Sequence, residues 1–396
     1  MRILTKRAGG LAAVSATVVL VAALALGACG SGGDEPEDGS SASFAELQSA
    51  AEGQTVRWWM FGGDARINAY VDEEVIPAAE KLGIELERVP VTDTAEAVQR
   101  VVAQRRAGQT DEGKVDLIWI NGENFAAGKD AGLWLEDWVD ELPNADLVDL
   151  EDPTIATDLG VPTDFQEAPW SRAAFVFAAD SAVTPDPPSS FGELLDYARD
   201  NPGRITYPAL PDFTGTSFVK QVVLAKGEDA AFAYLEELKP RMWEEGEKFP
   251  KSEAELNDLF ANGQVDFTMS FDPSFVRTAV VNGQFPRSTR PFLLEGGALV
   301  NTSYVTIPGD AANPEGAQVV ANLLLEPALQ AAKADPRTLG IPTVLDPARL
   351  SPSQRRLFEE APDSPHLLDD LGDVKQELPA SQVAPLEERW QREILR

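Results

Sequence analysis

Val56-Arg57-Trp58-Trp59-Met60-Phe61-Gly62-Gly63-Asp64 is an apolar run that stops in a glycine turn and ends on a carboxylate. Val56 to Met60 has the length and composition of a buried strand, and Phe61 to Asp64 the composition of the turn that closes it. After the turn, Ile67, Tyr70, Val71, Val75, Ala78, Ala79 and Leu82 recur at spacings of three and four, which predicts a helix stopped by Gly83. Ile84 to Val91 is a second strand. Asp93 or Thr94 can cap a helix over about 95–107, ended by Gly108. Val115 to Ile120 is a third strand, apolar but for Asp116, opening onto Asn121-Gly122-Glu123-Asn124.

Strand, helix, strand, helix, strand with short connections implies right-handed crossovers and a parallel sheet. Ligands of such sheets bind beyond the carboxyl ends of the strands. The loops Trp58–Asp64 and Asn121–Asn124 therefore converge on one edge. Alternation along the first strand sends Trp58 and Trp59 to opposite faces, so one of them is core.

Near residue 170 the pattern changes. Ala173 to Ala179 reads as a strand leading to Asp180 and the Pro-rich Thr184–Pro188, and Ser189 or Ser190 caps a helix over 191–199. A short strand, 204–208, leads through Pro211-Asp212-Phe213-Thr214-Gly215-Thr216 into a helix near 217–225. Gln264 to Ser270 is a strand ending at Phe271-Asp272-Pro273. Val300 to Pro308 is a strand able to cross between two bodies, 311–333 is mostly helix, and Gly340–Thr343 is a return crossing. The expected lobes are 54–172 with 301–338, and 173–300 with 339–396.

The N-terminus has a separate logic. Arg2, Lys6 and Arg7 precede an uncharged apolar run, Leu11 to Leu26, and then Leu26-Gly27-Ala28-Cys29. This is the layout of a secretory signal, with 1–28 removed. Cys29, the only cysteine in 396 residues, excludes an internal disulfide and stands where a lipobox would place an acylated residue. Gly30 to Ser43 is small and polar, and the stretch 29–53 is expected to be anchor and flexible stalk. Loss of the three basic signal residues takes the net charge from −32 to −35. Such a surface repels nucleic acid and anionic lipid headgroups.

The blocks Trp59–Asp64 with Arg66-Ile67-Asn68, Val115–Phe125, Glu167–Trp170, Asn201–Arg204 with Thr206–Pro208, and Pro211–Gly215 resemble those of bacterial extracellular solute-binding proteins of ABC importers, YnjB-like branch, over about 54–345. Ser171 stands where that branch would have Gly. The resemblance implies a two-lobed type II periplasmic-binding α/β fold with the ligand cleft between lobes, no cofactor, and a membrane permease with its ATPase as partner. A monomer held to the extracytoplasmic face of the membrane by lipid alone is expected.

The site expected at the cleft mixes flat apolar faces (Trp59, Phe61, Trp170) with carboxylates (Asp64, Glu123, Asp212, Asp272). Gly62 and Gly63 would admit close backbone approach, Thr214-Gly215-Thr216 would form a second such cradle before a helix, and Asn121, Asn124, Tyr207, Asn301 and Tyr304 would supply neutral hydrogen bonds. Aromatic faces and carboxylates suit an organic cation such as a thiamine-like molecule, free or phosphorylated. A polyamine is an alternative, as is ferric ion, although no two of the five tyrosines are adjacent in sequence. Asp64 has a rival role as a helix cap. A hydrolase is disfavoured: His366 is the only histidine, no Gly-x-Ser-x-Gly elbow flanks a strand–helix turn, and no His/Cys cluster exists for zinc.

Overall fold

The structure is a computed structural model that describes residues 39–108, 113–120, 122–295, 297–359, 363–368 and 370–395. The signal segment, Cys29 and Asn121 lie outside the described residues. Within them no helix is long and apolar enough to cross a membrane.

Two sheets organise the chain. In the larger, Thr55–Phe61 pairs in parallel with Glu85–Val91 on one side and Leu117–Ile120 on the other. Next to Leu117–Ile120 runs Leu299–Thr306, antiparallel to it, and Leu299–Thr306 in turn pairs with Glu167–Ala174 and Lys375–Gln376. The smaller sheet places Val176–Asp180 between Phe267–Ser270 and Thr289–Phe292, all antiparallel. One strand line thus passes from the large sheet into the small one through Phe175, whose N–H donates to Leu299 O at 2.8 Å. Leu299–Thr306 returns beside it.

The parallel core follows the expected order. Ala65–Lys81 is helical throughout, with a π turn at Val71–Val75. Tyr70, Val71, Val75 and Ala79 are buried, the face that the three-and-four spacing marks. Gly83 stops the helix at a φ of 78°, where a side chain would be strained. Asp93 caps Thr94–Arg106 in a reciprocal box with Glu96. Asp116, fully buried, accepts from Arg57 N at 2.9 Å and Asn313 N at 3.0 Å, so the one charged residue of its strand ties two segments together.

Three boundaries differ from the sequence reading. Gly39–Ala51 is a helix, with Phe44 and Leu47 packed on the large-sheet core and Ala51 inside it, so the folded body begins before residue 54. Arg204–Pro208 joins no ladder; its backbone is satisfied by Asp266 N and Trp243 N instead. Gly340–Thr343 does not carry the chain to the small sheet. Leu339, Val344, Leu345 and Leu350 fill the large-sheet core, and only from Leu368 onward do apolar residues pack on the other core. The last helix, Ala380–Glu393, closes that second core with Leu386 and Trp390.

Candidate functional site

A cavity of about 160 Å³ lies where the two sheets meet. Its walls come from both: Asp64, Arg66, Ile67 and Trp119 from the parallel strand ends, Ser171, Arg172, Ala173 and Ser303 from the crossing strands, Phe271, Asp272 and Pro273 from the end of the small sheet, and Ile341. A roomier hollow of about 670 Å³ is lined by 98–107 alone, so nothing bound there could register a change between the sheets.

The aromatic wall is built in a chain of edges. Trp58 is fully buried and meets Trp170 at 5.5 Å, and Trp170 meets Trp119 at 5.0 Å, both nearly perpendicular. Trp119 reaches the cavity, and Phe61, 42% exposed, stands edge-on to it at 6.5 Å. Opposite, Phe271 lines the cavity and touches Phe213, itself 55% exposed. Each side thus offers one ring that lines the cavity and one exposed ring beside it.

The carboxylates have local duties. Asp64 caps Ala65–Tyr70, accepting from Arg66 N at 2.8 Å and Ile67 N at 3.1 Å; the helix-cap role is the one observed. Asp272 accepts from Ser274 N at 2.8 Å and Ser274 Oγ at 2.7 Å. Burial pushes the Asp272 carboxyl up, with the Ser274 bonds and Arg66 acting the other way and Asp64 adding to the rise. Asp212 caps Phe213–Lys226. Behind it Glu253, accepting from Thr214 Oγ1, is raised by burial first and also by Asp272 and Asp212.

Arg66 joins the two sides. Its guanidinium donates to Ser274 Oγ at 2.9 Å, to Leu339 O at 3.0 Å and to Thr278 Oγ1. Ser274 and Thr278 follow the small-sheet strand Phe267–Ser270, while Arg66 follows the first strand of the large sheet.

Of the expected site residues, the cavity takes Asp64 and Asp272, with Phe61 beside Trp119 and Trp170 behind it. The others among the described residues are elsewhere. Trp59 is on the opposite sheet face, as alternation requires, packed on the buried cluster that holds Val101, Ile118 and Phe125 and donating to Lys114 O at 3.1 Å. Gly62 sits where a Cβ would come within 2.7 Å of Pro90 Cβ, and Gly63 lies under the Phe61 ring, so both serve the turn. Glu123 is exposed, Asn124 half-buried, and Gly122 N donates to Asp158, which places the 157–162 hairpin over that strand end. Neither Glu123 nor Asn124 lines the cavity. Tyr207 is core: it stacks on Phe218 at 4.6 Å and accepts from Trp390 Nε1 at 2.9 Å. Thr214 is buried against Glu253. Tyr304 points away from the cavity and donates to Ile155 O at 3.0 Å, and Asn301 lines a separate crevice with Gln376 and Glu377.

Arg66, Trp119, Arg172, Ser171, Ser303 and Phe271 are cavity residues that sequence reasoning passed over. Several are immediate neighbours of chosen positions, and Ser303 is two from Asn301. The register shift between Ser303 and Tyr304 was invisible in the sequence. Arg172, a charged residue at the entry to the apolar run Ala173–Ala179, was the available signal.

Comparison with known proteins then gives four likenesses. The family described as bacterial extracellular solute-binding protein matches residues 77–363. Protein YnjB of Escherichia coli K12 is 37% identical over 368 residues, covering 88% of this chain and 93% of its own. Among solved structures, an ABC transporter protein from Clostridium perfringens superposes with a TM-score of 0.62 at 16% identity over 86% of this chain and 99% of that one. A periplasmic thiamin binding protein does so at 0.52 and 18% identity, over 86% and 96%. The last two share the two-lobed type II periplasmic-binding fold.

Proposed function

The chain belongs to the bacterial extracellular solute-binding proteins, and from that premise we propose that it closes the cavity between its two sheets on one compact organic solute. Proteins of this family bind a small solute for an ABC importer and deliver it to the permease; they are not enzymes. The observation that carries the reading is the cavity itself, since residues of both sheets line it and Arg66 already bridges them. A solute that touches both sides shifts an open–closed equilibrium toward closure, which is the signal a permease reads. At about 160 Å³ the space is well below the ~300–1,000 Å³ of drug-sized sites, which favours a compact solute.

A thiamine-like cargo is supported by Trp119 and Phe271, whose rings could flank a flat heterocycle, with Phe61 and Phe213 at the edge. A polyamine is served less well, because Asp64 and Asp272 already hold turn amides. Ferric ion has little support: among the described residues no group of three His, Cys, Asp or Glu could hold a metal, and no tyrosine lines the cavity. The bodies that move are proposed as 54–172 with 301–338, joined by 339–350, against 173–300 with the C-terminal segment. Acylated Cys29 would tether the monomer to the outer face of the membrane.

The test is a thermal-shift and calorimetric screen of the purified protein against thiamine, its phosphates, polyamines, sugars and their phosphates. A solute at 100 times its dissociation constant stabilises the fold by about 2.7 kcal/mol. Trp119→Ala should abolish that shift while leaving the fold intact; a shift that survives it puts the site elsewhere.

A further inference from the structure

We propose that the solute carries an oxyanion, a carboxylate or phosphate ester, and that Arg66 and Arg172 are its anchors; this rests on the capture reading above. The first support is a mismatch of charge. The chain carries a net −32, and Asp64 and Asp272 line the cavity too, yet among the described residues neither of its arginines hydrogen-bonds a carboxylate. Among the described residues Arg66 has no ion-pair partner, and its guanidinium donates only to the neutral oxygens of Ser274, Thr278 and Leu339. Arg172 comes no nearer to a carboxylate than 3.7 Å, at Asp152, and donates to Thr154 Oγ1 at 3.2 Å. Two further basic groups stand near them. Burial lowers the Arg277 pKa and the Arg66 charge lowers it further, against Asp335, while burial and Arg172 hold the fully buried Lys333 well below its usual range, which favours its neutral amine.

The second support is what the carboxylates are doing. Asp64 and Asp272 each accept two bonds from their own turns through Oδ1, and the Arg66 charge already acts on Asp272. An ammonium or thiazolium entering the cavity would meet two guanidiniums, a like-charge approach that is unfavourable.

The third support is unspent donors. The Nε–H groups of Arg66 and Arg172 are both buried without an acceptor. A buried donor without a partner costs free energy, more when it is charged. Ser171 and Ser303, direct partners across the crossing strands, add two hydroxyls to the same wall. A carboxylate or phosphate brings enough lone pairs for both guanidiniums and both hydroxyls. Trp119 and Phe271 would then hold the organic remainder of the solute. If that remainder is thiamine-like, the phosphorylated form is the cargo.

Matched pairs test this: thiamine monophosphate with thiamine, glucose 6-phosphate with glucose, and inorganic phosphate and citrate alone. Each is titrated into the wild-type protein and into R66Q, R172Q, R172K and W119A, with circular dichroism to verify folding. The expected result is that only anionic members bind, that R66Q and R172Q each weaken binding at least about tenfold, and that R172K recovers part of it. Arg66 makes only neutral contacts, so R66Q carries the test if R172Q fails to fold. Binding of a neutral or cationic member that R66Q and R172Q leave unchanged overturns the proposal, and loss of that binding in W119A would still uphold capture at the cavity. Binding indifferent to all four variants overturns both readings. Silence of every oxyanion, inorganic phosphate at millimolar concentration included, overturns the anion proposal alone.

Discussion

Two places where the molecule encloses basic groups treat them in opposite ways. In the small-sheet body, Lys220 Nζ sits 2.7 Å from Glu377 Oε2, both side chains almost without solvent exposure. The pair ties the helix Phe213–Lys226 to the C-terminal segment, and burial still raises the Glu377 pKa despite the ammonium beside it. At the cavity, Arg66 donates only to hydroxyls and a carbonyl, and Arg172 donates to a hydroxyl with Asp152 no nearer than 3.7 Å. A buried charge supplied with a partner belongs to the fold. One left with neutral neighbours, facing a space, is positioned for something that arrives later.

The contrast can be broken most forcefully at the paired site. Glu377→Ala leaves the Lys220 ammonium buried and alone, and should lower the unfolding free energy by about 3–5 kcal/mol in a denaturant melt. Replacing both partners, Lys220→Met with Glu377→Leu, should recover most of that loss. A third buried group sharpens the comparison through pH. Burial raises the Asp158 pKa from 3.8 to about 7, against the lowering effect of the Gly122 N–H it accepts. The folded state then holds a proton that the unfolded state has released, so stability falls as pH climbs from about 4 to about 7. Asp158→Asn should remove that slope and gain up to about 4 kcal/mol above neutrality, read from melts across the pH range. It should also relieve Glu167, which is raised by burial and by the Asp158 charge, and both of whose oxygens are buried without a donor. The smallest effect belongs to the cavity: Arg66→Gln should change the stability of the solute-free protein by no more than about 1 kcal/mol. A loss as large as that of Glu377→Ala would make Arg66 a structural residue and erase the contrast.

What could be read in the sequence was what depends on neighbours a few residues away. The periodicity of 67–82, the Asp93 cap, the alternation that separates Trp58 from Trp59 and the strand Leu299–Thr306 are all local signals, and the fold carries them. The helix Gly39–Ala51 was missed because its only sizeable apolar residues are Phe44 and Leu47. Both gain their meaning from a surface on the large-sheet core. The site was half legible for the same reason. Asp64 and Asp272 stand at strand ends, where any open sheet concentrates its ligands. Tyr207 and Tyr304 looked like polar contacts, yet their hydroxyls are satisfied inside the body by Trp390 and by Ile155 O. Which residue of a pair faces the cavity depended on the shift at Ser303/Tyr304, which depends on packing between distant strands.

That shift has a mechanical side. Glu167–Ala174 and Leu299–Thr306 form a hydrogen-bonded ribbon along which the sheets are joined. Such a ribbon is stiff to stretching and shear, because its bonds share the load. It yields at the irregularity, where the ladder is interrupted and local twist is greatest. Compliance is therefore concentrated beside Ser303, and the molecule works as a leaf spring whose soft point lies in the wall of its own cavity.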